Sequence, residues 1–249
     1  MSATILSLAG VKAGYGKRTI LRNVDLSIER GEWCTLLGPN GVGKTTLLQA
    51  VAGRIACEAG KISIAGYGLA DNRVAALRAL GFAAAPERLP NLLTGRQCLE
   101  TYAAAKECNE VDVGVLELAE ELRFARYLDQ FVDTYSLGTR QKLCVLLALV
   151  GAPTLLVLDE AFNGLDPASA LVLKHYLRAR VSAGELSVLL ATHALDIVEH
   201  FSDTAALLWN GHIARAWDRE ALRELRGRSA DALESELARV VTAESSDVA

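Results

Sequence analysis

Lys44 is the residue around which chemistry is most readily built. It stands in the run Gly38-Pro39-Asn40-Gly41-Val42-Gly43-Lys44-Thr45-Thr46. Glycines at 38, 41 and 43 let the backbone turn where a side chain would block it. The N–H groups exposed by such turns point inward and form an anion-binding nest at a helix N-terminus. Lys44 adds a point charge for the β- and γ-phosphates of a nucleotide, and Thr45 offers a hydroxyl to Mg²⁺. Further along, an apolar run over 155–158 ends in the paired acids Asp159 and Glu160. One carboxylate there can hold a metal through its water shell, and the next can orient a nucleophile. Two shorter stretches complete the set: Tyr135-Ser136-Leu137-Gly138-Thr139-Arg140-Gln141 and Thr192-His193. The Ser136 hydroxyl and the Gly138 backbone can donate to a phosphate at the start of a helix.

These groups need elements to hold them. Trp33–Leu37 is almost wholly apolar and bounded by glycines, which predicts a buried parallel strand delivering the glycine loop. A helix is expected over 45–52, with Leu47, Leu48 and Val51 on one face. The stretches 155–158 and Ser187–Ala191 read as two further buried strands, so the paired acids and His193 fall at strand ends, where open α/β sheets bind ligands. Short strands are expected over 5–8, 24–28 and 61–64, the last two alternating apolar and polar. From about Arg96 to Val150 the pattern is helical: Leu116, Ala119, Leu122 and Phe124 make one stripe, and Leu143, Leu146, Leu147 and Val150 another. A helix over 168–180 and a hairpin at Asn210-Gly211, between strands over 205–209 and 212–214, follow. Leu233, Leu237, Val240 and Val241 offer a stripe for a last short helix, packing on its own domain before an acidic end at Glu244-Ser245-Ser246-Asp247.

The chain has 249 residues, enough for one large domain with a full core, and its formal charge of −4 gives no overall attraction to nucleic acid. No apolar run is long enough to span a bilayer. The opening Met1-Ser2-Ala3-Thr4 lacks a basic region followed by an apolar one, so no signal peptide and a cytoplasmic location are expected. The five cysteines show no paired spacing, so reduced thiols and no metal site are expected.

The order of the four stretches, spread over most of the chain, resembles the ATP-binding cassette (ABC) ATPases. The resemblance implies an α/β fold: a P-loop NTPase core with an N-terminal antiparallel β subdomain and an inserted helical subdomain at about 86–150. The cassette would cover 1–227, with an acidic tail over 228–249. It implies ATP and Mg²⁺ as ligands, with Asn40 and Thr46 joining Gly38, Gly41, Gly43, Lys44 and Thr45 in the phosphate loop. Asp159 then resembles the Mg²⁺-associated acid, Glu160 the catalytic glutamate and His193 the switch histidine. Asn163-Gly164-Leu165-Asp166 resembles the D-loop, and Tyr15 the aromatic that stacks on adenine. Ser136 and Gly138 fall in a loose version of the signature, where Leu137 and Thr139 depart from Leu-Ser-Gly-Gly-Gln. In the family these groups reach ATP on a second ATPase subunit, so a homodimer or paired ATPase is expected. Ala85 stands where the Q-loop glutamine is usual, and Ala161 where a proline commonly follows the glutamate. The leading expectation is the ATP-hydrolysing subunit of a transporter whose permease is a separate membrane chain, with the ATPase peripheral on the inner face of the cell membrane. Leu93-Thr94-Gly95-Arg96 and the Tyr135-Ser136-Leu137-Gly138 signature resemble exporter-type cassettes. The alternatives are a soluble cassette ATPase of a cytosolic machine, as in iron–sulfur cluster assembly, and a cassette acting on nucleic acid or the ribosome.

Overall fold

The glycine loop, the paired acids and the histidine are carried by neighbouring strands of one sheet, ten-stranded among the described residues. The computed structural model describes residues 3–83, 85–228 and 231–246. In chain order the elements are β1 (Thr4–Tyr15), β2 (Arg18–Glu29), β3 (Trp33–Leu37), α1 (Lys44–Val51), β4 (Cys57–Ile64), β5 (Tyr67–Gly68), α2 (Arg73–Arg78) and β6 (Leu80–Phe82). Then come α3 (Gly95–Ala105), α4 (Val113–Glu121), α5 (Leu137–Leu149), β7 (Leu155–Asp159), α6 (Pro167–Ser182) and β8 (Ser187–Ala191). The chain closes with α7 (Leu195–His200), β9 (Thr204–Trp209), β10 (His212–Trp217), α8 (Arg219–Arg228) and α9 (Ala232–Ser246).

The sheet order is β5-β4-β1-β2-β10-β9-β3-β8-β7-β6. Strands β6, β7, β8, β3 and β9 run parallel, so their carboxyl ends share one edge. Strands β1, β2, β4 and β5 pair antiparallel and form the N-terminal lobe. β2 meets β10 at one parallel pair, Asn23 with His212.

One face of the sheet packs on α1 and the antiparallel lobe through Leu36, Leu47, Leu48, Val51 and Val157. The other face shares a core with α3, α4, α5 and α6, in which Trp33, Leu99, Phe124, Leu146 and Leu158 are buried. Burying such side chains stabilises each helix by ~1.5–3 kcal/mol per residue, more than any local propensity contributes. The fold class read from the sequence is the one observed.

Several local readings are corrected. β1 and β2 run twelve residues each, well past the expected 5–8 and 24–28. The reason is a break of register between Leu8 and Val11 around Gly10, at φ 60°, which interrupts the period-two pattern. β4 starts at Cys57, earlier than the expected 61, because its first half is solvent-facing and carries Gly60 at φ 85°. Leu116 is half-exposed; the stripe that α4 buries is Val115, Leu118 and Ala119, with Leu122 just beyond. α9 lies on the core formed with β9 and α8: Leu233 is buried, and Leu237, Val240 and Val241 pack beside it. The last residue of the expected acidic end, Asp247, and the opening Met1-Ser2 lie outside the described residues.

All five cysteines are free thiols. Burial pushes Cys34 and Cys144 up to about 12 and Cys98 up to about 11.

Candidate functional site

The loop after β3 takes the turns its glycines allow. Gly38, Gly41 and Gly43 stand at φ 151°, 80° and 115°. A Cβ at Gly38 would lie 2.7 Å from the Leu208 carbonyl, and one at Gly43 2.9 Å from Ile20. Both positions therefore exclude larger residues by space as well as by torsion. Lys44 opens α1 and is buried, its Nζ donating to the carbonyls of Gly38 (2.6 Å) and Pro39 (3.2 Å). Burial pulls its pKa down, and the charges of Glu160 and Asp159 oppose that shift. Asn40 and Thr45 are exposed at the loop mouth, while Thr46 is buried.

β7 pairs with β8 so that Asp159 faces Ala191. Burial pushes the Asp159 carboxyl up, and a hydrogen bond from Thr45 pulls against it. Glu160 follows at φ 47°, a left-handed conformation unusual for this residue type. Its N–H is fixed to the Ala191 carbonyl at 2.9 Å. Its carboxylate has four neighbours. Asn163 Nδ2 donates at 3.2 Å, Thr192 Oγ1 donates at 3.1 Å, His193 Nδ1 lies at 3.0 Å and Lys44 Nζ at 4.0 Å. Thr192 also accepts from the Ala194 N–H at 3.1 Å, which orders the bend after β8. Lys44, Thr45, Asp159, Glu160 and His193 thus form one cluster. Asn163 and Thr192 join it by their hydrogen bonds to Glu160; the sequence places Asn163 in the D-loop stretch and Thr192 beside His193 without giving either a role of its own.

Ser136 and Gly138 form a separate cluster. Ser136 caps α5, accepting from the Thr139 N–H at 3.2 Å and sharing a 2.8 Å hydrogen bond with the Thr139 hydroxyl. A Cβ on Gly138 would lie 2.6 Å from the Gly164 carbonyl, so this turn meets the 163–166 turn backbone to backbone. Asp166 caps α6 through the Ser169 N–H (2.9 Å) and hydroxyl (2.6 Å), and pairs with Lys142 at 3.3 Å. Those bonds from Ser169, and then Lys142, hold its carboxyl well below the usual carboxylate range. Among the described residues, no hydrogen bond or ion pair joins Ser136, Gly138 or Asp166 to the glycine loop of the same chain.

Tyr15 is exposed at the end of β1, its hydroxyl donating 3.0 Å to Gln49 of α1. Gln49 lies 34 positions away in sequence, and no spacing rule pointed to it. Ala85 is exposed and begins the 3₁₀ turn Pro86–Arg88 as its cap. Glu87 is exposed in that turn, and its charge is felt at Cys144 on α5.

The cluster fits a nucleotide triphosphate with Mg²⁺: a nest with an ammonium for phosphate, and hard oxygen donors in Thr45 and Asp159 for the metal. The comparisons show the family. The family model described as ABC transporter matches residues 21–163. The chain is 30% identical over 209 residues to the lantibiotic transport ATP-binding protein SrtF of Streptococcus pyogenes, covering 84% of this chain and 89% of SrtF. A solved structure described as the ATP binding subunit of an ABC transporter superposes with TM-score 0.81 at 30% identity, over 94% of this chain and 99% of that one. The fold also matches a dimeric post-hydrolysis state of the cassette MJ0796 bound to ADP and Pi, with TM-score 0.76 at 22% identity, over 86% and 99% of the two chains.

Proposed function

Because the chain belongs to the ABC transporter ATP-binding proteins, we propose that it hydrolyses ATP to drive a membrane permease on a separate polypeptide, in the outward direction. The observation that carries the hydrolytic part is the Glu160 carboxylate, held by His193, Thr192, Asn163 and Lys44 at the mouth of the glycine loop. A carboxylate aimed by several donors is set to accept from a water and turn its lone pair toward phosphorus.

ATP phosphates take the places that the Gly38 and Pro39 carbonyls hold around Lys44. The N–H groups of the loop and the Lys44 ammonium then bear the negative charge that grows on the γ-phosphate oxygens. Thr45 and Asp159 would hold Mg²⁺, which supplies further positive charge against those oxygens. Tyr15 stacks on the adenine while Gln49 keeps its ring in place. His193 holds Glu160 in register. Ser136 and the Gly138 N–H face the ATP of a second copy, head to tail, consistent with their separation from the loop of their own chain. The export direction rests on the resemblance of Leu93-Thr94-Gly95-Arg96 to exporter-type cassettes, a stretch in which Thr94 forms a capping box with Gln97 at the start of α3. The chain would then sit on the cytoplasmic face of the membrane through its permease; among the described residues no helix is long and apolar enough to cross one.

The test is Glu160→Gln at saturating ATP and Mg²⁺. The variant should lose turnover and accumulate as a dimer by light scattering. A variant that hydrolyses normally, or stays monomeric with and without permease, would sink this reading.

A further inference from the structure

Glu160 and His193 meet across two chain segments that a third residue ties together. Lys174 lies on α6, with its side chain 15% exposed. Its Nζ is 3.0 Å from the Asp196 carboxylate. The same ammonium stands 5.5 Å from the ring centre of Phe162 and 5.5 Å from that of Phe201. A cation at that range over an aromatic face is attracted to it, more strongly as water is excluded.

The three contacts fall at particular places. Phe162 comes two residues after Glu160, in the turn that must hold Glu160 at φ 47°. Asp196 is in the first turn of α7, three residues after His193, and Phe201 is the residue that closes α7. Lys174 therefore grips both ends of the short helix behind His193 and the turn behind Glu160. Phe201 in turn lies 6.0 Å from Trp33, which opens the strand leading to the glycine loop.

We propose that Lys174 is a positioning residue for the Glu160–His193 pair. It fixes the angle at which the two side chains meet without touching the nucleotide. The role rests on the reading that Glu160 directs the attacking water. It does not follow from the sequence motifs, since Lys174 lies outside all of them.

Lys174→Met keeps the aliphatic stem and removes the charge. In the purified chain it should lower kcat by roughly 10- to 100-fold, as small misplacements of reacting groups do, while the KM and Kd for ATP stay within about twofold. Lys174→Arg keeps a cation over the rings and should recover most of the rate. Asp196→Asn, at an exposed position, should lower kcat in the same sense even if the methionine variant folds poorly. Lys174→Met added to Glu160→Gln should cause no further loss. Wild-type turnover in Lys174→Met and Asp196→Asn, with Glu160→Gln inactive, would overturn the positioning role alone. So would a methionine variant whose loss is all in KM, or an arginine variant as slow as the methionine one. Wild-type turnover in Glu160→Gln would overturn the underlying reading instead.

Discussion

Glu160 sits in a backbone conformation that costs on the order of 1–3 kcal/mol for a residue with a Cβ. The hydrogen bonds that Asn163 and Thr192 donate to its carboxylate, and the one its own N–H donates to the Ala191 carbonyl, hold it there. Held so, the carboxylate lies 4.0 Å from the Lys44 ammonium. Ala85 is the opposite case, a position where the resemblance leads one to expect a polar group and the chain has a methyl. A missing hydrogen bond to a charged partner is worth ~1.5–3 kcal/mol, and at about 1.4 kcal/mol per tenfold this is roughly 10- to 100-fold in rate. Ala85→Gln should therefore raise basal ATP turnover by up to that factor. Glu87→Ala should change it little, because Glu87 is exposed and stands two positions past Ala85. Steady-state assays of the two variants check this; a collapse in Glu87→Ala with no gain in Ala85→Gln would assign the role to Glu87.

At the scale of elements, α6 begins on Asp166, whose carboxylate caps it through Ser169. Asp166→Ala should cost about 1 kcal/mol of stability at neutral pH, the usual worth of such a cap. The folded carboxyl is depressed, so its contribution is full above the ordinary Asp pKa of about 4 and is lost only as pH falls through the lower folded value. Urea melts should show the wild-type advantage intact at pH 5 and shrinking in stronger acid. The elements differ in how legible they were. β3, β7 and β8 were plain in sequence because both their faces are buried, and an unbroken apolar run has no other simple reading. β1 was legible only in part, since the bulge at Gly10 shifts its alternation midway. In α4 the expected stripe is right at Ala119, Leu122 and Phe124 and wrong only at Leu116, whose place in the core Val115 and Leu118 fill; neighbouring apolar residues look alike to a periodicity. The site itself divided similarly. Lys44, Asp159 and His193 carry local signatures, whereas Gln49 and Lys174 gain meaning only when distant segments pack.

The whole molecule presents its helical side, from the 3₁₀ turn Pro86–Arg88 to α5, around one core with the catalytic sheet. Packed side chains thus connect that side to β7 and β8, and we propose it as the place where a permease docks. Arg88 is exposed there. Arg88→Cys should cross-link to an integral membrane protein in native membranes; adducts confined to ribosomal or assembly proteins would favour a soluble machine. The burial of the native thiols has a practical side here. Cys34, Cys98 and Cys144 are shut in the core and ionise only far above neutral pH. The thiolate is the reactive form, so maleimides and cellular peroxides alike find almost nothing to attack at these three. Cys57 and Cys108 are only partly buried, so with those two replaced an introduced surface cysteine can be labelled against a nearly silent background, and the three core thiols make poor reporters of oxidative stress.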